Sequence, residues 1–312
     1  MSESVCTSHF PVFRFGPDGK KLWDPVSRKE RVNRPEERVR LRMVDYLTLQ
    51  ASVSRNRIAL ETPLRKQDHP LRRGDLLVYD SAFEPDLLIE CKAASVPLDE
   101  KAAVQIARYN ERVGARRLCL TNGVADMTYR VEPSGPVLLG DPPYPEQTSL
   151  RSIRSAPGYW VERGFIGAKT PLRARDWIRS VLDSFWEPGQ GWSSGYFDLS
   201  GNPWKLDLSH YHRIEHLGEQ GDLLLGILSP DSVSTWLVAI VGKSQSYAAM
   251  MITDLARLAE GGSDDTTLFT INEQRTLRLG GHVPLSPSNS NPMIVHNLPG
   301  FYGSWFNVLL SE

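Results

Sequence analysis

Two short apolar stretches, each closed by charged residues, flank a four-residue turn at residues 81–84. Residues 75–80 precede the turn and residues 85–92 follow it, a pattern typical of a β-hairpin. Because side chains alternate between the two faces of a strand, Glu90 and Lys92 share one face and the residue between them points to the other. The hairpin is therefore expected to present a carboxylate and an amine together at one strand edge.

The length of the turn fixes the expected pairing of the two strands. It predicts the pairs Asp80–Pro85, Val78–Leu87 and Asp75–Glu90. Directly opposed residues have β-carbons about 5 Å apart, so the carboxylates of the last pair could ligate one metal ion. Two carboxylates held this close repel each other unless a cation lies between them, and Lys92 offsets only part of their charge. The hairpin therefore favours a divalent metal as the third component.

A helix is predicted before the hairpin. Asn33 is placed to cap this helix, a proline follows in the first turn, and Glu37 lies near the positive end of the helix dipole. The helix should continue for about 15 residues. One of its faces is apolar and is expected to pack against a core. The apolar face consists of Val39, Met43, Tyr46 and Leu47.

The order of elements around the hairpin predicts an α/β fold. Residues 57–62 suit a strand, residues 100–113 a second helix, and residues 117–121 a strand that ends at a turn containing Gly123. A strand, a crossover helix and a parallel strand belong to an α/β sheet with helices against its faces. The predicted core is therefore a helix, three strands, a helix and a strand.

The chain is expected to divide into two domains. Residues 133–147 contain five prolines and two glycines, which disfavour a continuous helix and predict a boundary loop. We assign residues 1–135 to the first domain, residues 136–165 to a linker and connecting segment, and residues 166–312 to a second domain. The second domain is expected to be α+β or mostly β.

Short apolar runs separated by turns predict the strands of the second domain. Two amphipathic helices are also predicted, one capped by Thr170 and one at residues 247–260. The predicted strands lie at residues 222–228, 236–241, 267–272 and 306–310. The apolar face of the first helix consists of Trp177, Ile178, Val181, Leu182 and Phe185.

Two motifs in the second domain are weak signals of chemistry. Gly242-Lys-Ser244 resembles the end of a phosphate-binding loop, but Leu237 stands where that loop requires glycine, so a tight turn from strand to helix is expected. His210, His212 and His216 form a cluster whose spacing matches no strong zinc pattern. Metal binding by these histidines stays open at this point.

The composition is that of a soluble globular protein, with 40% hydrophobic and 23% charged residues. The amino terminus has neither a basic start nor an apolar stretch, and residues 236–241 are too few to span a bilayer, so a cytoplasmic protein without membrane contact is expected. Cys6, Cys91 and Cys119 lack metal or disulfide spacing and are expected to be buried thiols. Basic side chains exceed acidic ones in residues 1–130, which favours this half as the partner of a polyanion.

Six blocks follow one another along the first domain, at residues 21–26, 34–40, 73–80, 88–92, 105–110 and 120–123. An aspartate followed by Glu-x-Lys arises often by chance, but six blocks in the right order are specific. Through these blocks, residues of about 9 to 132 resemble the N-terminal nuclease region of type I restriction enzyme R subunits, in its stand-alone bacterial version, within the PD-(D/E)xK nuclease superfamily. The resemblance implies a restriction-endonuclease-like core of helix, three strands, helix and strand. It also implies metal-dependent cleavage of DNA.

The resemblance assigns roles to residues of the hairpin. It implies that Asp75 and Glu90 are metal ligands, helped by the backbone carbonyl of Cys91, and that Lys92 is the catalytic lysine. The implied metal is Mg²⁺, for which Mn²⁺ can substitute, because attack on an anionic phosphodiester needs charge neutralisation and a deprotonated water. Glu37 matches an accessory acidic position that could bind metal through water.

The resemblance also assigns residues outside the hairpin. Gln105 and Tyr109 lie four residues apart on the second helix, at the edge of the active site, where they would orient Lys92 or the DNA backbone. Basic residues of the first domain suit contacts to DNA phosphates, which fix position rather than sequence. These are Arg72, Arg73, Lys101, Arg108 and Arg112.

Each assignment has a plainer alternative. Asp75 could be a turn residue, and Glu90 with Lys92 a solvated strand edge. Glu37 could be an ordinary carboxylate at a helix start, and Tyr109 could serve the packing of its helix. Arg72 and Arg73 could be ordinary loop charges. The fold could also serve only for binding, with the C-terminal domain as the functional part, and the substrate could be RNA or branched or single-stranded DNA. A full R subunit carries an ATP-driven motor, for which this chain has neither room nor motif, so no nucleotide is expected. A homodimer is compatible with one cutting site per chain.

Overall fold

The computed structural model describes residues 2–17, 19–63, 73–187, 193–216, 218–243, 246–259 and 265–278. The chain forms two compact units, Met1–Ile153 and Arg154–Glu312. Both combine β-sheet with a few helices, so the protein is of the mixed α/β type. Within the described ranges, no helix has the length and apolar character needed to cross a bilayer.

The first unit is built on a seven-stranded sheet. The strands of this unit are β1 (Ser2–Glu3), β2 (Val12–Gly16), β3 (Gly19–Asp24), β4 (Lys29–Arg31), β5 (Ile58–Pro63), β6 (Arg73–Tyr79), β7 (Pro85–Cys91), β8 (Arg117–Thr121), β9 (Ala125–Glu132) and β10 (Gly135–Leu139); the helices are α1 (Pro35–Asp45) and α2 (Glu100–Val113). The strand order of the large sheet is β1-β9-β8-β7-β6-β5, with β10 beside β9, and β2-β3-β4 form a separate small sheet. Among these described strands only β7 and β8 run parallel, and the other pairs are antiparallel.

The elements predicted around the hairpin are present. β6 and β7 form the hairpin, α2 occupies the predicted residues, and β8 returns parallel to β7. The predicted pair of Val78 with Leu87 is confirmed, but Pro85 pairs with Tyr79 rather than with Asp80 because the register shifts after Val78. Asp80 instead closes the turn, since its Oδ1 accepts the N–H groups of the second and fourth residues that follow it.

Helix α1 begins later than predicted. Arg34, not Asn33, is the N-cap residue, and no side chain caps this end. Asn33 Oδ1 accepts a hydrogen bond from Arg38 Nη1 at 2.9 Å instead. The helix continues past Asp45 as one π turn, Tyr46–Gln50. The predicted apolar face is confirmed, because Val39, Met43, Tyr46 and Leu47 are all buried.

The helices cover opposite faces of the sheet. The core between α1 and the sheet includes the three free cysteines, Cys91 of β7, Cys119 of β8 and Cys6 from the segment before β2, and all three are buried as predicted. Ile106 of α2 packs on the other face, against Leu77 of β6 and Leu88 of β7. Glu90 alternates with Ile89 and Cys91 of the α1 face, and it lies with Asp75 at the end of the hairpin away from its turn.

The predicted linker is partly folded. Gly135–Leu139 forms β10, which pairs with β9 through a two-residue turn. Pro136 is tolerated there because β10 is an edge strand, where a missing N–H costs no ladder bond. Two short helices also fall within residues 136–165, α3 (Leu150–Arg154) and α4 (Pro157–Glu162). Prolines in this segment therefore mark an edge strand and a helix start as well as loops.

The second unit contains one antiparallel sheet whose seven strands follow each other in chain order. The predicted strands at residues 222–228, 236–241 and 267–272 are present with small shifts, and residues 306–310 lie outside the described residues. The elements are α5 (Leu172–Phe185), β11 (Ser193–Phe197), β12 (His210–His216), β13 (Asp222–Leu228), β14 (Trp236–Lys243), β15 (Ser246–Asp254), α6 (Leu255–Ala259), β16 (Asp265–Thr270) and β17 (Gln274–Arg278).

Two helix predictions in this unit need correction. Residues 247–260 are mostly strand β15, because an apolar run buried on both sheet faces has the same composition as a helix core. Gly242 therefore opens a hairpin between two strands and is not followed by a helix. Thr170 does not cap α5, since Pro171 is the N-cap residue and the Thr170 hydroxyl bonds Thr235 Oγ1 at 2.8 Å.

Candidate active site

The free end of the hairpin gathers the residues that the sequence singled out. Leu76 pairs with Ile89, so the same register continues toward Asp75 and Glu90. The Cys91 N–H donates to Asp75 Oδ2 at 2.7 Å, which ties the end of β6 to the end of β7. Lys92 Nζ donates to Glu90 Oε1, also at 2.7 Å. Two carboxylates and one ammonium group therefore lie at a single strand edge.

Arg40 of α1 is the second cation at this edge, and the sequence analysis did not assign it a role. Its Nη2 donates to Asp75 Oδ1 at 2.7 Å and its Nη1 donates to Glu37 Oε2 at 2.8 Å. Only 10% of the Arg40 side chain is exposed. Burial alone would lower the pKa of Arg40, but the charges of Asp75 and Glu37 outweigh it and raise the pKa above its ordinary value. Glu37 is thus linked to Asp75 through Arg40.

Glu61 is a further carboxylate that the sequence analysis missed. Leu60 pairs with Leu76 and Thr62 with Gly74, so Glu61 on β5 lies beside Asp75 in the register. Its backbone has a φ of 50°, in the left-handed region that residues other than glycine seldom adopt. Such strain concentrates at functional sites. A signal was present in the sequence, since β5 resembles β7 in being an apolar strand that leads into a glutamate.

The small sheet supplies the partner of Glu61. Arg31, the last residue of β4, donates from Nη1 to Glu61 Oε2 at 3.1 Å and from Nη2 to Asp24 Oδ2 at 3.1 Å. Asp24 is fully buried, and its Oδ1 accepts the N–H groups of Val26 and Ser27. The turn between β3 and β4 therefore fixes Asp24, which aims Arg31 at Glu61.

Burial and neighbouring charge shift the pKa values of the site. Burial and the charge of Asp75 raise the pKa of Glu90, against the opposing effects of Lys92 and Arg40. Burial also raises the pKa of Glu37, although Arg40 and Arg31 oppose it. Burial would lower the pKa of Lys92, but its hydrogen bond to Glu90 and the charges of Glu90 and Asp75 raise it overall. Lys92 is therefore an ammonium group at neutral pH.

The donor set suits a divalent cation of the Mg²⁺ type. Ion pairs join five carboxylates with three cationic side chains in two groups, in which Glu90 and Lys92 form a pair of their own, and the eight residues together carry a formal charge of −2. Glu37 Oε1 is buried and lacks a hydrogen-bond partner among the described residues. Carboxylate oxygens are the ligands that Mg²⁺ and Mn²⁺ prefer. The linked residues are Asp24, Glu37, Glu61, Asp75 and Glu90 with Arg31, Arg40 and Lys92.

Arg40 occupies part of the position that a cation would take on the hairpin. Within the described residues, no three His, Cys, Asp or Glu side chains converge as a ready metal site. Asp75 Oδ2 is taken by the Cys91 N–H and Asp75 Oδ1 by Arg40. The residues fit a divalent cation on the hairpin carboxylates once the Arg40 guanidinium leaves Asp75 Oδ1.

The predicted residues of α2 line one face of that helix. Gln105 Nε2 donates to the Tyr109 hydroxyl at 2.8 Å, and Tyr109 packs against the core on the α2 side of the sheet. Neither residue forms a hydrogen bond with Lys92 in the part of the chain that the structure describes. Their predicted role in orienting Lys92 is thus not seen in this arrangement.

The predicted phosphate contacts divide between α2 and β6. Lys101, Arg108 and Arg112 are exposed along α2, and none pairs with a carboxylate among the described residues. Arg72 lies outside the described residues, and Arg73 is described only as part of the β6 backbone. One exposed row of three cations therefore remains next to the Gln105 face.

The histidine cluster of the second unit does not come together as a metal site. His210 and His212 are fully buried, whereas His216 is exposed and bonds Asp222 Oδ1 through Nδ1 at 2.7 Å. His212 packs so closely on Gly226 of β13 that a β-carbon there would lie 2.6 Å from its ring. The buried histidines therefore contribute to the packing of the sheet.

Residues 35–137 match the family model of the N terminus of type I restriction enzyme R proteins. This confirms the resemblance inferred from the sequence blocks over that segment, and it connects the segment with a restriction enzyme. The matched residues include α1, the hairpin and α2 but none of the second unit. No curated protein and no solved structure matches the chain.

Proposed function

We propose that this protein is a Mg²⁺-dependent endonuclease that hydrolyses DNA phosphodiester bonds, acting in restriction or phage defence without an ATP-driven motor. The observation that carries the proposal is the gathering of Asp75, Glu90 and Lys92 at one strand edge, inside the segment that matches the R-protein N terminus. In this proposal α1, β5 to β7, α2 and β8 are a restriction-endonuclease-like core of the PD-(D/E)xK type.

The chemistry divides between the metal and the protein. A divalent cation held by Asp75, Glu90 and the Cys91 carbonyl would neutralise the phosphate and lower the pKa of a bound water. Lys92, kept protonated by Glu90, places a positive charge where negative charge builds on the phosphate. Glu37 shapes the site through Arg40. Cutting both strands requires two centres, so the proposal includes a homodimer.

The experiment that tests this function uses supercoiled plasmid. Wild-type protein is expected to nick and linearise the plasmid with Mg²⁺ or Mn²⁺ and to be inactive with a chelator. Lys92→Ala should cut about a hundredfold more slowly, because it removes one positive charge from the transition state. Labelled RNA, single-stranded DNA and branched DNA identify the substrate class. Equal behaviour of wild type and Lys92→Ala would refute the proposal.

The row of cations on α2 gives a second prediction. Arg108→Gln combined with Arg112→Gln should weaken DNA binding to a similar extent for all sequences and reduce the slope of log affinity against log salt by about 2, since each arginine would neutralise one phosphate. Fluorescence anisotropy at several salt concentrations measures this slope. Arg130→Gln is the control, because Arg130 is exposed but already paired with Glu132. An unchanged slope in the double variant would exclude this row from the DNA interface.

A second candidate function is a nuclease-like fold that binds nucleic acid or a partner without cutting, with the C-terminal domain as the functional part. One observation favours it. Arg40 and Lys92 already satisfy Asp75 and Glu90 without any metal. The same plasmid experiment separates the two candidates, because a non-cleaving protein would give no difference between Mg²⁺ and chelator.

A further inference from the structure

The Arg40 guanidinium reaches carboxylates on three different elements. Nη2 donates to Asp75 Oδ1 on β6 at 2.7 Å, Nη1 donates to Glu37 Oε2 on α1 at 2.8 Å, and the contact from Nη1 to Glu61 Oε1 on β5 is 3.5 Å. The two terminal nitrogens of Arg40 therefore have different partners. Nη1 is anchored by Glu37 and Glu61, while Nη2 donates only to Asp75 among the described residues.

A cation on the hairpin and Nη2 would compete for the same oxygen. Asp75 Oδ2 is fixed by the Cys91 N–H, so Oδ1 is the atom left for a cation. The Arg40 guanidinium would be repelled by a divalent cation at Oδ1 and would lose its hydrogen bond to that oxygen. Nη1 would keep its two anchors, so the guanidinium can turn away from Asp75 without leaving the site.

We propose that Arg40 is an exchangeable arm, which neutralises Asp75 in the metal-free protein and turns Nη2 to a DNA phosphate when a divalent cation takes Asp75 Oδ1. This inference rests on the proposed nuclease function. A guanidinium carries five donors in a rigid fork that suits both carboxylate and phosphate, so one side chain can serve both partners. Glu37 and Glu61 are then positioning residues that keep the arm at the site.

Arg31 stabilises the position of the Glu61 carboxylate, which contacts Arg40. Arg31 Nη1 donates to Glu61 Oε2, so the two oxygens of Glu61 face two different arginines. The Glu61 carboxylate therefore lies between them, on a residue with a left-handed backbone. If Arg40 served only to pair with Asp75 in a structural ion pair, it would not need Glu37 and Glu61 as further partners.

The exchange predicts opposite changes in two measurements. Arg40→Gln should bind Mn²⁺ about tenfold more tightly than wild type, because the competing charge is gone. The same variant should cut plasmid about a hundredfold more slowly at saturating Mn²⁺, because the phosphate loses a cationic partner. Binding is measured without DNA by isothermal titration or electron paramagnetic resonance. Arg38→Gln on the same helix is the matched control and should resemble wild type in both.

The outcomes separate this inference from the proposed function. Weaker or unchanged Mn²⁺ binding by Arg40→Gln, with an active wild type, overturns the exchange and leaves the nuclease proposal intact. A wild type that neither binds Mn²⁺ nor cuts DNA overturns both. Arg40→Lys covers the case in which Arg40→Gln fails to fold, because it keeps the charge but loses the fork. It should cut about tenfold more slowly, and a wild-type rate for it would also overturn the exchange.

Discussion

Replacement of Glu90 by glutamine is expected to lower the rate of DNA cleavage at least about a thousandfold and to leave the metal-free protein no less stable than wild type. Glutamine keeps the shape of the side chain but removes the anionic oxygen on which the proposed metal site depends. The hydrogen bond from Lys92 can persist, since the amide oxygen still accepts it. The variant therefore removes charge with little change in packing.

The stability part of this prediction follows from the raised pKa of Glu90. Burial and the charge of Asp75 favour the protonated carboxyl in the folded protein. The stability that Glu90 contributes is therefore complete below its unfolded pKa of about 4.3, and it is lost as the pH rises through the folded value. At neutral pH the ionised carboxylate opposes folding of the metal-free protein. Glutamine should raise the melting temperature at pH 7 in chelator and have little effect at pH 4.

Single-turnover plasmid cleavage and melting curves in chelator test both parts. Glu84→Gln is the matched control, because Glu84 lies exposed in the turn at the other end of the hairpin and should change neither result. Cleavage at the wild-type rate by Glu90→Gln would remove Glu90 from the proposed metal ligands. A lower melting temperature at pH 7 would mean that the pairing with Lys92 outweighs the repulsion from Asp75.

The part of the site on the hairpin could be predicted from the sequence because its residues lie close together in the chain, between residues 75 and 92. Strand alternation places Glu90 with Lys92, and the predicted register beyond Val78 directs Asp75 toward Glu90, although the register shift next to the turn was not predicted. Arg40 and Glu61 were not accessible in this way. Their positions depend on how α1 packs on the sheet and on the register of β5 with β6, which involve residues far apart in the chain.

Some residues of the family blocks have structural rather than chemical roles. The Asn110 side chain both donates to and accepts from the backbone of Ala115, at 2.8 Å each way, which fixes the turn from α2 into β8. Asn122 holds the next turn, since its Nδ2 donates to the Val96 carbonyl and its Oδ1 accepts the Val124 N–H. The sequence shows that such residues belong to a family block. Only their contacts show whether a residue holds a turn in place or takes part in the active site.

The second unit was harder to predict because the central strands of its sheet are buried on both faces. The run from Ala249 to Ile252 has no alternation, so its period does not separate a central strand from a helix. This run forms a strand because β15 pairs with β14 on one side and with β16 on the other. The prediction of β13 was correct because turn residues stand at both ends of its apolar run.

Replacement of Gly167 by alanine is expected to destabilise the second unit by about 3 kcal/mol. An added β-carbon would lie 2.0 Å from the Val233 carbonyl oxygen and 2.7 Å from that of Ser234. Both atoms belong to backbone, so no side-chain rotation can relieve the clash. The neighbouring contacts leave little freedom, because the Gly167 N–H donates to Thr235 Oγ1 at 2.9 Å. A loss of this size is a large part of the stability of an ordinary domain.

Gly158→Ala is the matched control for Gly167→Ala. Gly158 lies in α4 with no atom within 4 Å of an added β-carbon and no positive φ, so alanine should stabilise the helix by about 0.5–1 kcal/mol. Urea unfolding followed by tryptophan fluorescence compares the two variants, and the signal reports mainly on the second unit, since Trp23 is the only tryptophan that precedes it. Equal stability of Gly167→Ala and wild type would contradict the close approach of the 233–234 backbone. A Gly167→Ala chain that still cuts plasmid at the wild-type rate under conditions that unfold its second unit would show that cleavage does not require an intact second unit.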